Sequence, residues 1–377
     1  MLVTDVRATK IKNSRGEPTI QISINNTGFG SAPSGTSKGK HEAVAYPKGI
    51  DYAVKFVNSK LRKSLLKFKF NRFEDLETIE AKLPKDFGAN PTIALEFALL
   101  NALATDKDKP LWLVLNPKAR KMPRILANVV GGGAHTSAKL RTSDIQEMLL
   151  SPNTRKIEND VRATLEFHGE LRNLLRAKKQ TDEGAWISNL NLDDTFEILL
   201  EVTGYERGID VAASQLYKNG KYYWKHLWGV ADKKKQIEII KSLADEYDLF
   251  YVEDPLQQED FAGFAELRKK LPDVMICGDD LTVTNLDRLK LAVKKKSINA
   301  VIIKPNQCGS LIKTKEVFDF AVKNGITPIV SHRAGETFDT TIAHLAFAWQ
   351  APFVKFGIAQ KQRMAKLNEL IKIEKNL

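Results

Sequence analysis

The chain has 377 residues, 43% of them hydrophobic and 28% charged, enough to bury a large core and to form two domains. No apolar stretch approaches the ~18 residues needed to span a bilayer, and residues 1–7 lack the basic start and long apolar core of a signal peptide. The charge of +12 is dispersed: its short runs, Lys233–Lys235 and Lys294–Lys296, read as solvated helix faces, and no RNA-recognition signature, zinc-finger spacing or basic tail accompanies them.

In chain order, the pattern from Thr4 to Gly28 alternates as strands do, with turn signals at residues 13–18 and at Asn25-Asn26. A loop rich in glycine, serine and proline follows at residues 31–39. Residues 50–83 carry apolar side chains at helical spacing, and a further helix is predicted from Asn90-Pro91 through Leu103. Strands followed by helices predict a small α+β domain over residues 1–122. Pro123 and the LANVV run open a second domain over residues 123–377, packed on the first with a site between them. Two mixed segments reach to about Glu201.

From Gly208 onward one pattern recurs six times. A short apolar run ends in one chemically useful residue, and an amphipathic stretch leads to the next run. The ends are Asp210, Glu253, Asp279, Lys304, His332 and Lys355, at steps of 23 to 43 residues. That spacing accommodates a strand, a helix and two loops, so it predicts a (β/α) barrel whose strand ends converge on one mouth. Three carboxylates, two lysines and a histidine in one pocket suit a divalent metal and an anionic substrate. Oxygen ligands favour Mg2+, and no Cys/His cluster offers zinc ligation. Lys304 in a barrel mouth is a candidate general base or Schiff-base amine. Arg333 and Lys355 are candidate phosphate partners. Glu147 and Glu183 are each, taken alone, ordinary surface carboxylates; opposite a lysine they could protonate a leaving hydroxyl. His135 follows a glycine run that is weak evidence for phosphate binding. Cys277 and Cys308 read as reduced core thiols, consistent with a cytoplasmic protein.

These segments together resemble the enolase family. The stretch NSRGEPT at residues 13–19 is similar to the family's DSRGxPT, and PSGTSKGKHEA at 33–43 to its mobile loop. GAN at 88–90, GGAHT, DIQEM, DEG, DVAAS, VEDPL, GDDLTVTN, KPNQCGS, SHRAGET and the closing RMAKLNELIKIE follow in family order along nearly the whole chain. The resemblance implies an enolase-type (β/α)8 barrel behind an N-terminal α+β domain, and reversible dehydration of 2-phosphoglycerate in glycolysis and gluconeogenesis. It implies two Mg2+ per site, one on Asp210, Glu253 and Asp279 and one involving Ser37. It implies Lys304 as base and Glu183, assisted by Glu147, as acid. It places His135, Glu147, His332, Arg333, Ala334 and Lys355 at the substrate, and it implies a homodimer or a higher even-numbered oligomer.

The chain departs from the family pattern at Ala334, where the family has a serine, and at Lys38, where it has a threonine. Ala185 replaces a glycine, and Gln215 and Phe338 replace glutamates. The loop at residues 218–228 reads as trimmed. The lost serine hydroxyl removes a hydrogen bond of about 1 kcal/mol. The expectation is an active enzyme with altered affinity for substrate or Mg2+. Two other readings stay open: an enzyme of this fold acting on another acid, and a non-catalytic protein using its basic surface for nucleic acid or a membrane receptor.

Overall fold

The computed structural model describes residues 1–35, 39–136, 143–154 and 156–377. Three antiparallel strands open it, β1 (Val6–Lys12), β2 (Pro18–Ile24) and β3 (Gly28–Ser31). Asn25 and Asn26 both take positive φ in the β2–β3 turn, a conformation asparagine tolerates. Ile20, Ile22 and Ile24 alternate along β2 and are fully buried, so the predicted period of two marks the inner face. The helix Ala89–Asp106 covers that face. It begins at Ala89, one residue before the Asn90-Pro91 signal, with Pro91 in the first turn, where a missing N–H is tolerated. The helical stretch after residue 50 is interrupted: Ile50–Leu65 contains one π turn, and a short helix, Asp75–Glu80, follows separately.

The close approach of this helix to the sheet depends on Gly28 and Gly30. A Cβ on Gly28 would lie 2.2 Å from Ala102 N and 2.3 Å from Ala98 O, backbone atoms that cannot yield. Gly28→Ala should therefore destabilise the protein by about 3 kcal/mol. Urea unfolding checks this, and a loss below about 1 kcal/mol would refute the packing argument.

The second part is a closed barrel. Its strands are β4 (Arg124–Ile125), β5 (Ala127–Gly131), β6 (Glu147–Pro152) and β7 (Tyr205–Asp210). A small antiparallel sheet is inserted next, β8 (Tyr217–Lys218), β9 (Lys221–Trp224) and β10 (Gly229–Ala231). The barrel resumes with β11 (Leu249–Glu253), β12 (Met275–Gly278), β13 (Ala300–Ile303), β14 (Thr327–Ser331) and β15 (Phe353–Lys355). The sheet order is β4-β15-β14-β13-β12-β11-β7-β6-β5. Only Leu126 separates β4 from β5, and its N–H donates to Val354 O at 2.8 Å, so the two ends of the order meet on one stretch of chain. β6 runs antiparallel to both β5 and β7; the later neighbours are parallel. The segment read as a trimmed loop thus forms β8–β10, turned at Asn219-Gly220 with both residues at positive φ.

The barrel interior is filled by one apolar cluster that includes Leu126, Leu149, Tyr251, Cys277, Ile302 and Ile329. Cys277 is buried there, Cys308 is half-buried, and both are free thiols. The lysines of the two basic runs are exposed at helix ends. Among the described residues, no helix is long and apolar enough to cross a membrane.

The N-terminal part meets the barrel at the mouth. Ser34 and Gly335 exchange both backbone hydrogen bonds at 2.8 Å. Asn306 Nδ2 donates to Pro33 O at 2.9 Å, and Ser31 N donates to Asp339 Oδ2 at 2.8 Å.

Candidate active site

The ends of the parallel strands place their residues as the repeat predicts. Asp210, Glu253 and Lys355 close β7, β11 and β15, while Asp279, Lys304 and His332 stand one position beyond β12, β13 and β14. Glu147 starts β6, opposite Asp210 in the antiparallel register. His135 ends a short 3-10 turn after β5. Together with Glu183, Arg333 and Ala334, all of these groups except the fully buried Glu253 line a small, strongly polar cavity at the mouth.

The cavity is organised by two lysines. Lys355 Nζ lies 2.7 Å from Glu253 Oε2, 2.9 Å from Glu147 Oε2 and 3.1 Å from Asp210 Oδ2. Burial works to lower its pKa, but these three carboxylates outweigh it and hold the ammonium well above its usual range. Lys304 Nζ donates to Asp279 Oδ2, and Gln307 Nε2 donates to Asp279 Oδ1 at 2.8 Å. Burial likewise opposes the Lys304 charge; Asp279 overcomes it, with Arg333 and Lys355 acting the other way.

The second half of the cavity holds the two remaining carboxyls around a histidine. His135 Nδ1 is 3.9 Å from Glu147 Oε1 and 3.8 Å from Glu183 Oε2. Glu183 also approaches His332 Nε2 at 3.5 Å and Arg363 Nη2 at 3.9 Å, and Asn128 Nδ2 donates to it at 3.3 Å. Burial pushes Glu147 well up despite Lys355. Glu183 is buried too, yet His135, His332 and Arg363 hold it well below the usual carboxylate range. Of the two, Glu147 is thus the carboxyl that favours its protonated form. Burial lowers His332, with Glu183 opposing.

Arg333 is clamped from the N-terminal part. Its Nη2 lies 2.9 Å from Glu42 Oε2, and its Nη1 donates to Asn306 Oδ1 at 3.0 Å. The side chain of Ala334 offers no polar group, but its carbonyl accepts from Arg363 Nη2 at 2.9 Å and from Ser14 Oγ at 3.3 Å. Behind that loop Lys366 pairs with Glu336 at 2.7 Å, both buried. Ser37 and Lys38 lie outside the described residues. Ala185 is buried and its carbonyl accepts from Thr181 N at 2.8 Å, while Gln215 and Phe338 are exposed, away from these contacts.

The donor set suits a divalent cation. Glu253 Oε1 is buried with no hydrogen-bond partner among the described residues, although Tyr251 OH donates to its sister oxygen at 2.5 Å. Burial and then Asp210 push the Glu253 carboxyl up to about 8, and burial and Asp279 push Asp280 up to about 7. Carboxyls this crowded lack positive charge, which two ammonium groups only partly supply. Asp210, Glu253 and Asp279 are not drawn together as a closed trio. Among the described residues, the trios whose ligand atoms lie within 4.8 Å of one another are Asp254, Asp279 and Asp280, and His135, Glu147 and Glu183.

Several of these partners are not evident in the sequence as site residues. Glu42, Gln307, Arg363, Asp254 and Asp280 sit inside segments already singled out, beside the residues with assigned roles. Asp254 accepts from Asp279 N at 3.1 Å and from Asp280 N at 2.7 Å, so it braces the turn that carries Asp279.

Comparison with known proteins adds a direct test of kinship. Residues 3–115 match the family model of the enolase N-terminal domain, and residues 119–377 match that of the enolase C-terminal TIM barrel domain. The enolase of Natronomonas pharaonis is 38% identical over 402 residues, covering 100% of this chain and 99% of that protein. The enolase of Methanothermobacter thermautotrophicus is 37% identical over 405 residues, covering 100% and 97%. The enolase of Thermoplasma acidophilum is 35% identical over 400 residues, covering 100% and 98%.

Proposed function

The chain belongs to the enolase family, and we propose that Lys304 is the base and Glu183 the acid with which it dehydrates 2-phosphoglycerate. The protein is a phosphopyruvate hydratase, a lyase that uses a divalent metal and a small phosphorylated substrate. The observation that carries the assignment of roles is the division of the cavity: an amine with Asp279 on one side, a carboxyl pair around His135 on the other.

The reaction removes a proton next to an ionised carboxylate, which places a second negative charge on the same group. Neutral Lys304 takes that proton from C2. The electron pair left behind moves into the carboxylate and then forms the C2–C3 double bond as the C3 hydroxyl departs. Glu183 gives that hydroxyl a proton, so water leaves. Glu147, across His135, assists as the carboxyl that favours its protonated form. Lys304 loses its main charge partner when Asp279 is engaged elsewhere, and Arg333 and Lys355 then favour its neutral form.

Asp210, Glu253 and Asp279 would hold one Mg2+, and Ser37 would help to hold a second that comes with substrate. When bound, such ions supply the positive charge that stabilises the doubly ionised carboxylate, and the family's pairing of a lysine or histidine base with Mg2+ is a general example of this chemistry. Lys355 would face the substrate carboxylate. Arg333, with the backbone at Ala334, would take the phosphate, and His135 and His332 would line the rest. Two apolar clusters, one mostly of the N-terminal part but including Leu311 and Leu345, the other mostly of the barrel but including Trp112 and Ala119, support a division near residues 1–122 and 123–377. A homodimer or larger even-numbered oligomer and a cytoplasmic location complete the reading, the latter supported by free, buried or half-buried cysteines.

Glu183→Gln should lower the dehydration rate by about 1,000-fold, with the midpoint of thermal unfolding little changed. It should leave exchange of the C2 hydrogen with solvent deuterium largely intact, because that step needs only the base. Equal loss of both activities would remove Glu183 from the role of acid.

A further inference from the structure

The proposed acid sits at the tip of a tight turn, and a buried histidine outside the cavity holds that turn. Thr181 N donates to Ala185 O at 2.8 Å and Gly184 N donates to Thr181 O at 3.0 Å, so residues 181–185 close on themselves with Glu183 at the apex. Gly184 has φ +87, and a Cβ there would meet Gln360 Cγ at 3.0 Å and Ala359 Cβ at 3.1 Å. The turn's outward carbonyl, that of Gly184, lies 2.9 Å from His168 Nε2.

His168 comes from the helix Ile157–Leu174 and is 4% exposed. Its ring stacks on Trp186 with centroids 5.4 Å apart and planes 23° apart. Trp186 returns the contact: its Nε1–H donates to His168 O at 2.7 Å. The Trp186 backbone is tied to β5, accepting from Gly131 N at 2.9 Å and donating to Val129 O at 3.0 Å. Helix and turn are thus joined by two side-chain hydrogen bonds and one ring stack, and two backbone hydrogen bonds tie Trp186 to the barrel strand. A carbonyl accepts only, so the Nε2 of His168 carries the proton. Nothing in the proton-transfer scheme uses this histidine, yet its ring holds the carbonyl of Gly184, one residue from Glu183.

We propose that His168 is a positioning residue for the acid: by holding Gly184 O it keeps the Glu183 carboxyl against His332 and His135, aimed at the departing hydroxyl. The proposal rests on the reading of Glu183 as the acid. Its specific consequence is a split between half-reactions. A carboxyl displaced by about 1 Å loses on the order of 10- to 100-fold in the step it serves. The C2 proton is removed on the other side of the cavity by Lys304, which the histidine does not touch.

The test uses the full-length protein loaded with Mg2+ and 2-phosphoglycerate. His168→Phe keeps a stacking ring and removes the donor; His168→Gln restores a donor on a flexible stem. In His168→Phe, dehydration should fall on the order of 10- to 100-fold in kcat with KM changed by less than about threefold, while C2 hydrogen–deuterium exchange read by NMR persists. His168→Gln should recover most of the lost rate. Equal loss of dehydration and exchange, no loss at all, or no recovery in His168→Gln would each overturn the proposal. If His168→Phe does not fold, Trp186→Phe, which keeps the stack and removes only the reciprocal bond, should show the same split in weaker form; an unchanged kcat there overturns it. Glu183→Gln is measured in parallel. If it dehydrates normally, the reading of the acid fails irrespective of what the histidine variants do.

Discussion

Lys304→Ala should abolish both dehydration and C2 hydrogen exchange, each by about 10,000-fold, the upper end of what one positioned base contributes. The joint loss separates the base from the acid, whose removal spares exchange. Lys304 is the amine paired with Asp279, and Lys355 is engaged by three carboxylates and so is not free to take over the proton. Substrate binding should survive, because Arg333 and Lys355 remain. In the cation-free protein the variant should also be less stable, since Asp279 keeps Gln307 and loses its buried charge partner. Added Mg2+ should restore the thermal midpoint without restoring activity. Exchange continuing at the unsubstituted rate would eliminate Lys304 as the base.

That these lysines and carboxylates share one mouth was legible in the sequence, for a physical reason, although which of them pair was not. A parallel barrel strand must be apolar along its length, and it ends where the chain turns at the mouth. The first polar residue after AVII or LFYV therefore stands in the site. Strand β2 is legible for the complementary reason, because its isoleucines alternate toward a single core face. Antiparallel β6 breaks the rule: it presents Glu147 at its beginning, not its end, and only its partnership with β7 shows this. The hairpin at Asn219-Gly220 carries a strong local turn signal, an Asn-Gly pair beside tyrosines, yet its length alone reads as a shortened loop. The supports of the site are the least legible. Glu42 reaches Arg333 across 291 residues and Arg363 reaches Glu183 from the last helix, contacts that no local pattern encodes.

Stripping divalent cations with a chelator should stop catalysis, by at least about 1,000-fold, and should change how stability depends on pH. In the cation-free protein Glu253 titrates at about 8, raised from an ordinary 4.5 by burial and by Asp210, and Asp280 titrates at about 7, raised from 3.8 by burial and by Asp279. Each folded carboxyl binds a proton that the unfolded one has already released, so stability falls as pH rises through that window. Glu147 and Asp254, which burial also raises, act in the same direction, and the remaining shifted carboxylates and cations of the site do not act between about pH 7 and 8. Glu183 and Asp279 are depressed carboxylates whose contribution is complete well below pH 7. The lowered His332 is neutral in both states there, and Lys304 and Lys355 are raised above 10.5, so their contribution is lost only beyond the window. The thermal midpoint of chelated protein should accordingly drop between pH 7 and about 8, whereas with saturating Mg2+ the ligand carboxylates are ionised in the folded state and the drop should be smaller. The same linkage requires Mg2+ uptake at pH 7 to release protons, measurable by titration calorimetry in two buffers of different ionisation heat. Cation binding without proton release, together with parallel midpoint curves, would mean that Glu253 is not a ligand.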